Sequence, residues 1–158
     1  MPHGIAIDEI KSRIDNALNL LTLPENDKYL LEHNLGERCI AHRFAVHLAS
    51  QFPDWDIDCE YNRNGDELKE MPISEECKAL LRKTRRVFPD IIIHKRGDEG
   101  PNLLAIEIKR EGQPGEECDI AKLHGYISNI GYACGLYVSF ISGSVDEHIA
   151  KKAFFSEE

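Results

Sequence analysis

Apolar residues recur at three- and four-residue spacing over two stretches near the start of the chain. Ile7, Ile10, Ile14, Leu18 and Leu21 form the first series, which predicts helix over 5–32, interrupted near Pro24 and resumed at 27–32. Ile40, Ala41, Phe44, Ala45, Leu48 and Phe52 form a stronger stripe, which predicts a helix from Leu35 to Gln51 ended by Pro53-Asp54. The period then falls to two. Residues 55–61, WDIDCEY, alternate apolar with polar as a half-buried strand does, and Asn62 to Asp66 break the pattern.

After a polar stretch, Ser74 is placed to cap a short basic helix running to about Arg85, with Glu75 and Glu76 in its first turn. Two strongly apolar segments follow, Val87 to His94 and Leu103 to Arg110, separated by the turn-forming KRGDEGPN. They are expected to pair as an antiparallel hairpin. Asp119 to Gly131 reads as helix with Ile120, Leu123, Ile127 and Ile130 inward, and Gly135 to Ser142 as a buried strand. A last helix is expected from Ser144 through Lys152. The order helix, strand, helix, strand, strand, helix, strand describes an α/β protein with a mixed sheet, because a hairpin lies beside a crossover helix.

A length of 158 residues suits one domain with a genuine core, here divided into an N-terminal helical extension (1–33) and the domain proper (34–158). No apolar run approaches the roughly 18 residues of a membrane span. The start, MPHGIAIDEIKSRID, has no basic segment followed by an apolar one, so a cytoplasmic protein with no membrane partner is expected. Cys39, Cys59, Cys77, Cys118 and Cys134 are odd in number and lack a C-x-x-C pair, and are read as free thiols.

The net charge of −9 argues against a nucleic-acid partner, but the distribution tempers this. Lys78, Arg82, Lys83, Arg85, Arg86, Lys95 and Arg96 stand against a single acid, Asp90, in the span 78–96. Nine acids stand against Arg63 and Lys69 in the span 52–76. A chain polarised in this way can turn one basic face to a phosphate backbone; the alternative is a solvated charged helix.

Chemistry concentrates in VFPDIIIHKRGDEGPNLLAIEIKR. Asp90 lies in one apolar run and Glu107 in another, and a buried ionised carboxylate is costly without a cation or several hydrogen bonds. Two of them on neighbouring strands suggest a divalent metal. Strand periodicity places Leu103, Ala105, Glu107 and Lys109 on one face, with carboxylate and ammonium about 6.5 to 7 Å apart along the strand. Oxygen ligands from Asp90 and Glu107, completed by water, suit Mg²⁺ or Mn²⁺. The alternative is a strand ion pair without chemistry.

Pro89-Asp90 with Glu107-Ile108-Lys109 resembles the motif of the PD-(D/E)XK nuclease superfamily, over a stretch from Leu35 to about Ser142. The resemblance implies a restriction-endonuclease-like αβββαβ core, a mixed central sheet flanked by helices, with an extra N-terminal helix here. It implies a Mg²⁺-dependent endonuclease hydrolysing phosphodiester bonds, DNA being favoured over RNA. Asp90, Glu107 and the Ile108 carbonyl would be metal ligands, Lys109 the catalytic cation. Some branches, junction resolvases among them, carry a further glutamate on the first core helix, which Glu37 matches. Glu37 admits a second role, since Asn34-Leu35-Gly36-Glu37 has the spacing of a capping box.

Lys78, Arg82, Lys83, Arg85, Arg86, Lys95, Arg96 and, from the following helix, Lys122 are the candidate nucleic-acid contacts. Asp119, Lys122 and Tyr126 share a ridge that either faces the site or forms a solvated flank. Glu60 is an alternative to Glu37, and His94 is either a phosphate contact or an ordinary strand-end histidine. Cys39-x-x-His42 lacks a second pair to complete a zinc site, and His47 lies one turn further along that helix. Small members of the superfamily often act as dimers, which implies a homodimer. The rival to an enzyme is a catalytically silent binding or assembly module in a defence or mobile-element system; an RNase or junction resolvase would use the same site.

Overall fold

A computed structural model describes residues 1–59, 74–84, 88–97 and 100–157, with the backbone alone over 80–84. Its elements are a short 3₁₀ turn (Pro2–Gly4), α1 (Ile7–Thr22), α2 (Lys28–Glu32), α3 (Glu37–Gln51), β1 (Asp56–Cys59), α4 (Glu75–Thr84), β2 (Ile91–His94), β3 (Asn102–Arg110), α5 (Glu116–Gly125), β4 (Tyr132–Phe140) and β5 (Ile149–Ser156). A π turn, Tyr126–Ile130, extends α5. No helix among the described residues is long and apolar enough to cross a membrane.

One five-stranded sheet runs in the order β1-β2-β3-β4-β5. β1, β2 and β3 are antiparallel neighbours, β4 lies parallel to β3 across the α5 crossover, and β5 closes the far edge antiparallel to β4. The protein is thus α/β with a mixed sheet flanked by helices, and the hairpin expected of the two apolar runs is present as β2 and β3.

Helical periodicity explains how the two faces are covered. On one face, Ile10, Ile14, Leu18 and Leu21 of α1 and Ile40, Phe44 and Leu48 of α3 pack with Ile91, Ile93, Leu104, Ile106 and Ile108. The N-terminal segment therefore shares its core with the sheet. Phe44 is fully buried there, and truncating such a ring to alanine costs about 3 to 5 kcal/mol. On the other face, Leu123, Tyr126 and Ile127 pack against Ile92, Ala105, Tyr132 and Tyr137. The helical segment lies close over β4 at Gly135, where a Cβ would meet Leu123 and Ile127 at 3.4 Å.

The chain departs from its sequence pattern in two places. Residues 149–156 form an edge strand, not the expected last helix. Its apolar residues are interrupted by Lys151 and Lys152, which pair outward with Glu116 and Asp15 and so protect an open sheet edge. The reading of five free thiols is also corrected. Cys77 of α4 and Cys118 of α5 form a disulfide with Cα atoms 5.3 Å apart, leaving Cys39, Cys59 and Cys134 as thiols. An oxidised pair is the exception in a reducing compartment, so the cysteines no longer support a cytoplasmic location.

Ser74 caps α4 as its position suggested, its hydroxyl accepting from the Cys77 N–H at 3.1 Å. Glu60, Arg85 and Arg86 lie outside the described residues, as do the side chains of Arg82 and Lys83.

Candidate metal and phosphate site at the end of β3

β3 is longer than its neighbour β2, and the candidate site lies where β2 stops. The last pair of the antiparallel register is Ile91 with Ile106. One step further Asp90 falls opposite Glu107, and two steps further Pro89, which has no N–H to donate, falls opposite Ile108. The ladder ends there. Ile108 N–H is taken up by the Asp90 side chain, whose Oδ2 accepts it at 2.8 Å. Two residues on, the Arg110 N–H points to the same edge and is accepted by Glu37 Oε1 at 3.0 Å. Asp90 and Glu37, both half-buried, thus sit side by side along the exposed edge of β3.

The capping-box role for Glu37 is overturned by this contact. Helix α3 starts at Glu37, with Gly36 at its N-cap in a φ of 99° that suits glycine, so Glu37 is the first helical residue and not the third. Asn34 is turned away from the helix, its Oδ1 accepting from Arg110 Nη1 at 3.0 Å and from Ser142 Oγ at 3.2 Å.

Glu107 projects from the face covered by α5 and is completely buried. Lys122 of α5 reaches it, Nζ standing 2.7 Å from Oε1, and also donates to the Phe88 carbonyl at 3.2 Å. Among the described residues no donor meets Glu107 Oε2. Burial raises the Glu107 carboxyl well above its ordinary range; Lys122 opposes this, and the nearby Asp90 and Asp119 carboxylates add to it.

Lys109, on the same strand face, takes a different partner. Its Nζ lies 2.9 Å from Asp119 Oδ2 and donates to the Pro114 carbonyl at 2.9 Å, with both side chains almost wholly buried. The ridge of Asp119, Lys122 and Tyr126 is accordingly no solvated flank: all three are buried against the sheet. The assignment of Lys122 as a phosphate contact is corrected on the same ground, since its ammonium is sealed against Glu107. Tyr137 is paired with Glu107 across β3 and β4, a neighbour that no local spacing in the sequence signals. Burial, then Glu116 and Asp119, push its hydroxyl above the usual tyrosine value.

Of the remaining basic candidates, Lys78, Lys95 and Arg96 have described side chains. Lys78 follows directly on the disulfide that joins α4 to α5 and lies 3.6 Å from Glu75. Lys95 and Arg96 lie beyond the opposite end of β2 from Asp90. Lys95 stands over the Trp55 ring at 5.3 Å, and Arg96 forms a two-point contact with Asp58, at 3.0 and 2.6 Å. His94 is likewise committed to Asp58, at 2.7 Å, as a strand-end histidine in an ion-pair cluster. His47 pairs with Asp27 rather than joining Cys39 and His42.

Among the described residues no three His, Cys, Asp or Glu side chains converge on one point as a ready cation site. A cation beside Glu107 would therefore draw on main-chain and water oxygens as well. The Ile108 carbonyl lies on the matching edge: N–H and C=O of one strand residue share an edge, and that edge of Ile108 faces Asp90 where β2 has ended. Compared with protein-family models, with curated proteins and with solved structures, the chain matches none.

Proposed function

We infer that the chain is a metal-dependent nuclease of the PD-(D/E)XK, restriction-endonuclease-like class, hydrolysing phosphodiester bonds, in DNA before RNA. The observation that carries this is the fully buried Glu107 carboxylate, with an oxygen that meets no donor among the described residues and the Asp90 carboxylate beside it. A buried carboxylate so placed calls for a cation, a demand that Lys122 meets at Oε1 alone in this structure. The succession of α3, the antiparallel β1, β2 and β3, α5 and the parallel β4 supports the same reading, being the αβββαβ order that the motif implies.

Asp90, Glu107 and the Ile108 carbonyl, with Glu37 next along the strand edge, are the groups that would hold Mg²⁺ or Mn²⁺. When bound there, such an ion lowers the pKa of a water and offsets charge on the phosphate. The protein's own part is positional. Asp90 and Glu37 are fixed by main-chain N–H groups of β3, and Asp119 fixes the position of Lys109 on the strand face from which Glu107 projects. The disulfide fastens the first turn of α4, and with it Lys78, to the helix that carries Asp119 and Lys122. One site cuts one strand, so double-strand cleavage calls for a homodimer.

A second reading, a catalytically silent binding or assembly module, is favoured by one observation. Glu107 and Lys122 are both fully buried and paired with each other, as are Lys109 and Asp119, so the carboxylates are already neutralised internally. Incubating wild type and Lys109→Ala with supercoiled plasmid, single-stranded DNA, a four-way junction and RNA in Mg²⁺, Mn²⁺ or chelator separates the two. A nuclease cleaves at least one substrate with metal and loses it in the variant. A silent module leaves every substrate intact.

A further inference from the structure

The E-x-K motif leads one to expect Lys109 as the cation at Glu107, yet the cation there is Lys122. Its Nζ lies 2.7 Å from Glu107 Oε1, and neither side chain has any exposure to solvent. A further partner, the Phe88 carbonyl at 3.2 Å, lies two residues before Asp90, so the ammonium stands between the Asp90 segment and the Glu107 strand. That is the space a shared cation would use. Lys109 is meanwhile held by Asp119 and the Pro114 carbonyl.

We propose that Lys122 is a built-in counter-ion standing in for the divalent metal at Glu107, so that metal binds by displacing its ammonium. This rests on the metal-site reading above and adds to it a competitor supplied by the chain itself. A buried carboxylate without any cation is strongly disfavoured, which gives the metal-free protein reason to keep a lysine on Glu107. Two cations cannot share one carboxylate in so dry a place without strong repulsion. Binding is then an exchange of one cation for another, and the apparent affinity falls by the fraction of molecules whose lysine has withdrawn.

The test is Mn²⁺ binding to the full chain, by calorimetry and by the electron-spin resonance of free Mn²⁺, in wild type, Lys122→Met and, as control, Lys11→Met, at an exposed position of α1. Removing the competitor should tighten binding by about tenfold in Lys122→Met, and Lys11→Met should leave it unchanged. Tightening in Lys122→Met, or binding there where wild type shows none, supports the proposal. Binding in wild type that is unchanged or weaker in Lys122→Met overturns it and leaves the metal site standing. No binding in either protein overturns the metal-site reading and this proposal with it.

Lys122→Met leaves Glu107 without its lysine and will be less stable in chelator, which offers a second readout. Its melting temperature should rise with Mn²⁺ more steeply than that of wild type. The double variant Lys122→Met/Glu107→Gln should fold without metal and bind none. If Lys122→Met stays unfolded at every Mn²⁺ concentration while the double variant folds, the metal cannot replace the lysine and the proposal is wrong.

Discussion

Glu37 Oε1 accepts the Arg110 N–H at 3.0 Å, joining the first turn of α3 to the end of β3 across 73 residues of sequence. The contact stands where a further strand residue would have stood. Through that oxygen the side chain serves the backbone, and as a carboxylate it also brings a negative charge to the end of β3.

Replacing Glu37 by glutamine separates the two roles. Gln retains an acceptor for Arg110, so the stability of Glu37→Gln should stay within about 1 kcal/mol of wild type, whereas Glu37→Ala should lose about 1 to 2 kcal/mol. Mn²⁺ affinity should fall roughly 10- to 100-fold in both. Urea unfolding and calorimetry check this. Equal metal affinity in all three proteins would reduce Glu37 to a brace.

Asp58 governs the opposite end of the sheet. The hydrogen-bonded Arg96 guanidinium, first, and His94 hold its carboxyl below the ordinary range, against the opposing effect of burial. A carboxylate depressed on folding stabilises above its unfolded pKa of about 3.9 and loses that contribution as pH falls through the lower, folded value. Asp58→Asn should cost about 1 to 3 kcal/mol at pH 7, and the gap to wild type should close below about pH 4. Urea unfolding from pH 7 to pH 3.5 measures it; a gap that widens on acidification would refute the assignment.

Much of the architecture was legible in residue spacing. The stripe of α3 and the apolar runs of β2 and β3 are long enough to specify their partners, whereas the register that sets Asp90 opposite Glu107 is fixed only by the folded hairpin. What was not legible depends on contacts distant in sequence. Polar residues at helical spacing, Asp119 and Lys122, look like a solvent face until lysines and carboxylates are paired across two elements. Lys151 and Lys152 interrupt the alternation of β5 because their charges protect its edge. Cys77 and Cys118 are separated by 41 residues, and no local spacing announces their bond.

That bond makes its own prediction. Closing a loop of 41 residues removes chain entropy worth about 4 kcal/mol from the unfolded state. Treatment with a dithiol reductant, or Cys77→Ser, should lower the urea midpoint accordingly, with reductant having no further effect on the variant. Thiol titration of the denatured, unreduced protein should find the three thiols of Cys39, Cys59 and Cys134. Five would show that the pair is reduced.

Asp119 and Lys109 form a buried pair at 2.9 Å, and removing one partner strands the other. Asp119→Ala should therefore destabilise by about 3 to 5 kcal/mol, whereas Lys109→Met/Asp119→Leu should recover much of that loss. Thermal unfolding of the three proteins checks it, and full stability in Asp119→Ala would mean that Lys109 finds another counter-charge.

The central claim is that Asp90 and Glu107 bind the metal that cleaves a phosphodiester bond. The most direct measurement is the conversion of supercoiled plasmid to nicked and linear forms by wild type and by Glu107→Gln, each shown to be folded, in Mg²⁺ and in Mn²⁺. Metal-dependent nicking by wild type that falls at least about 100-fold in Glu107→Gln is the predicted result. Nicking at equal rates by both proteins, or by neither in any metal, would contradict it.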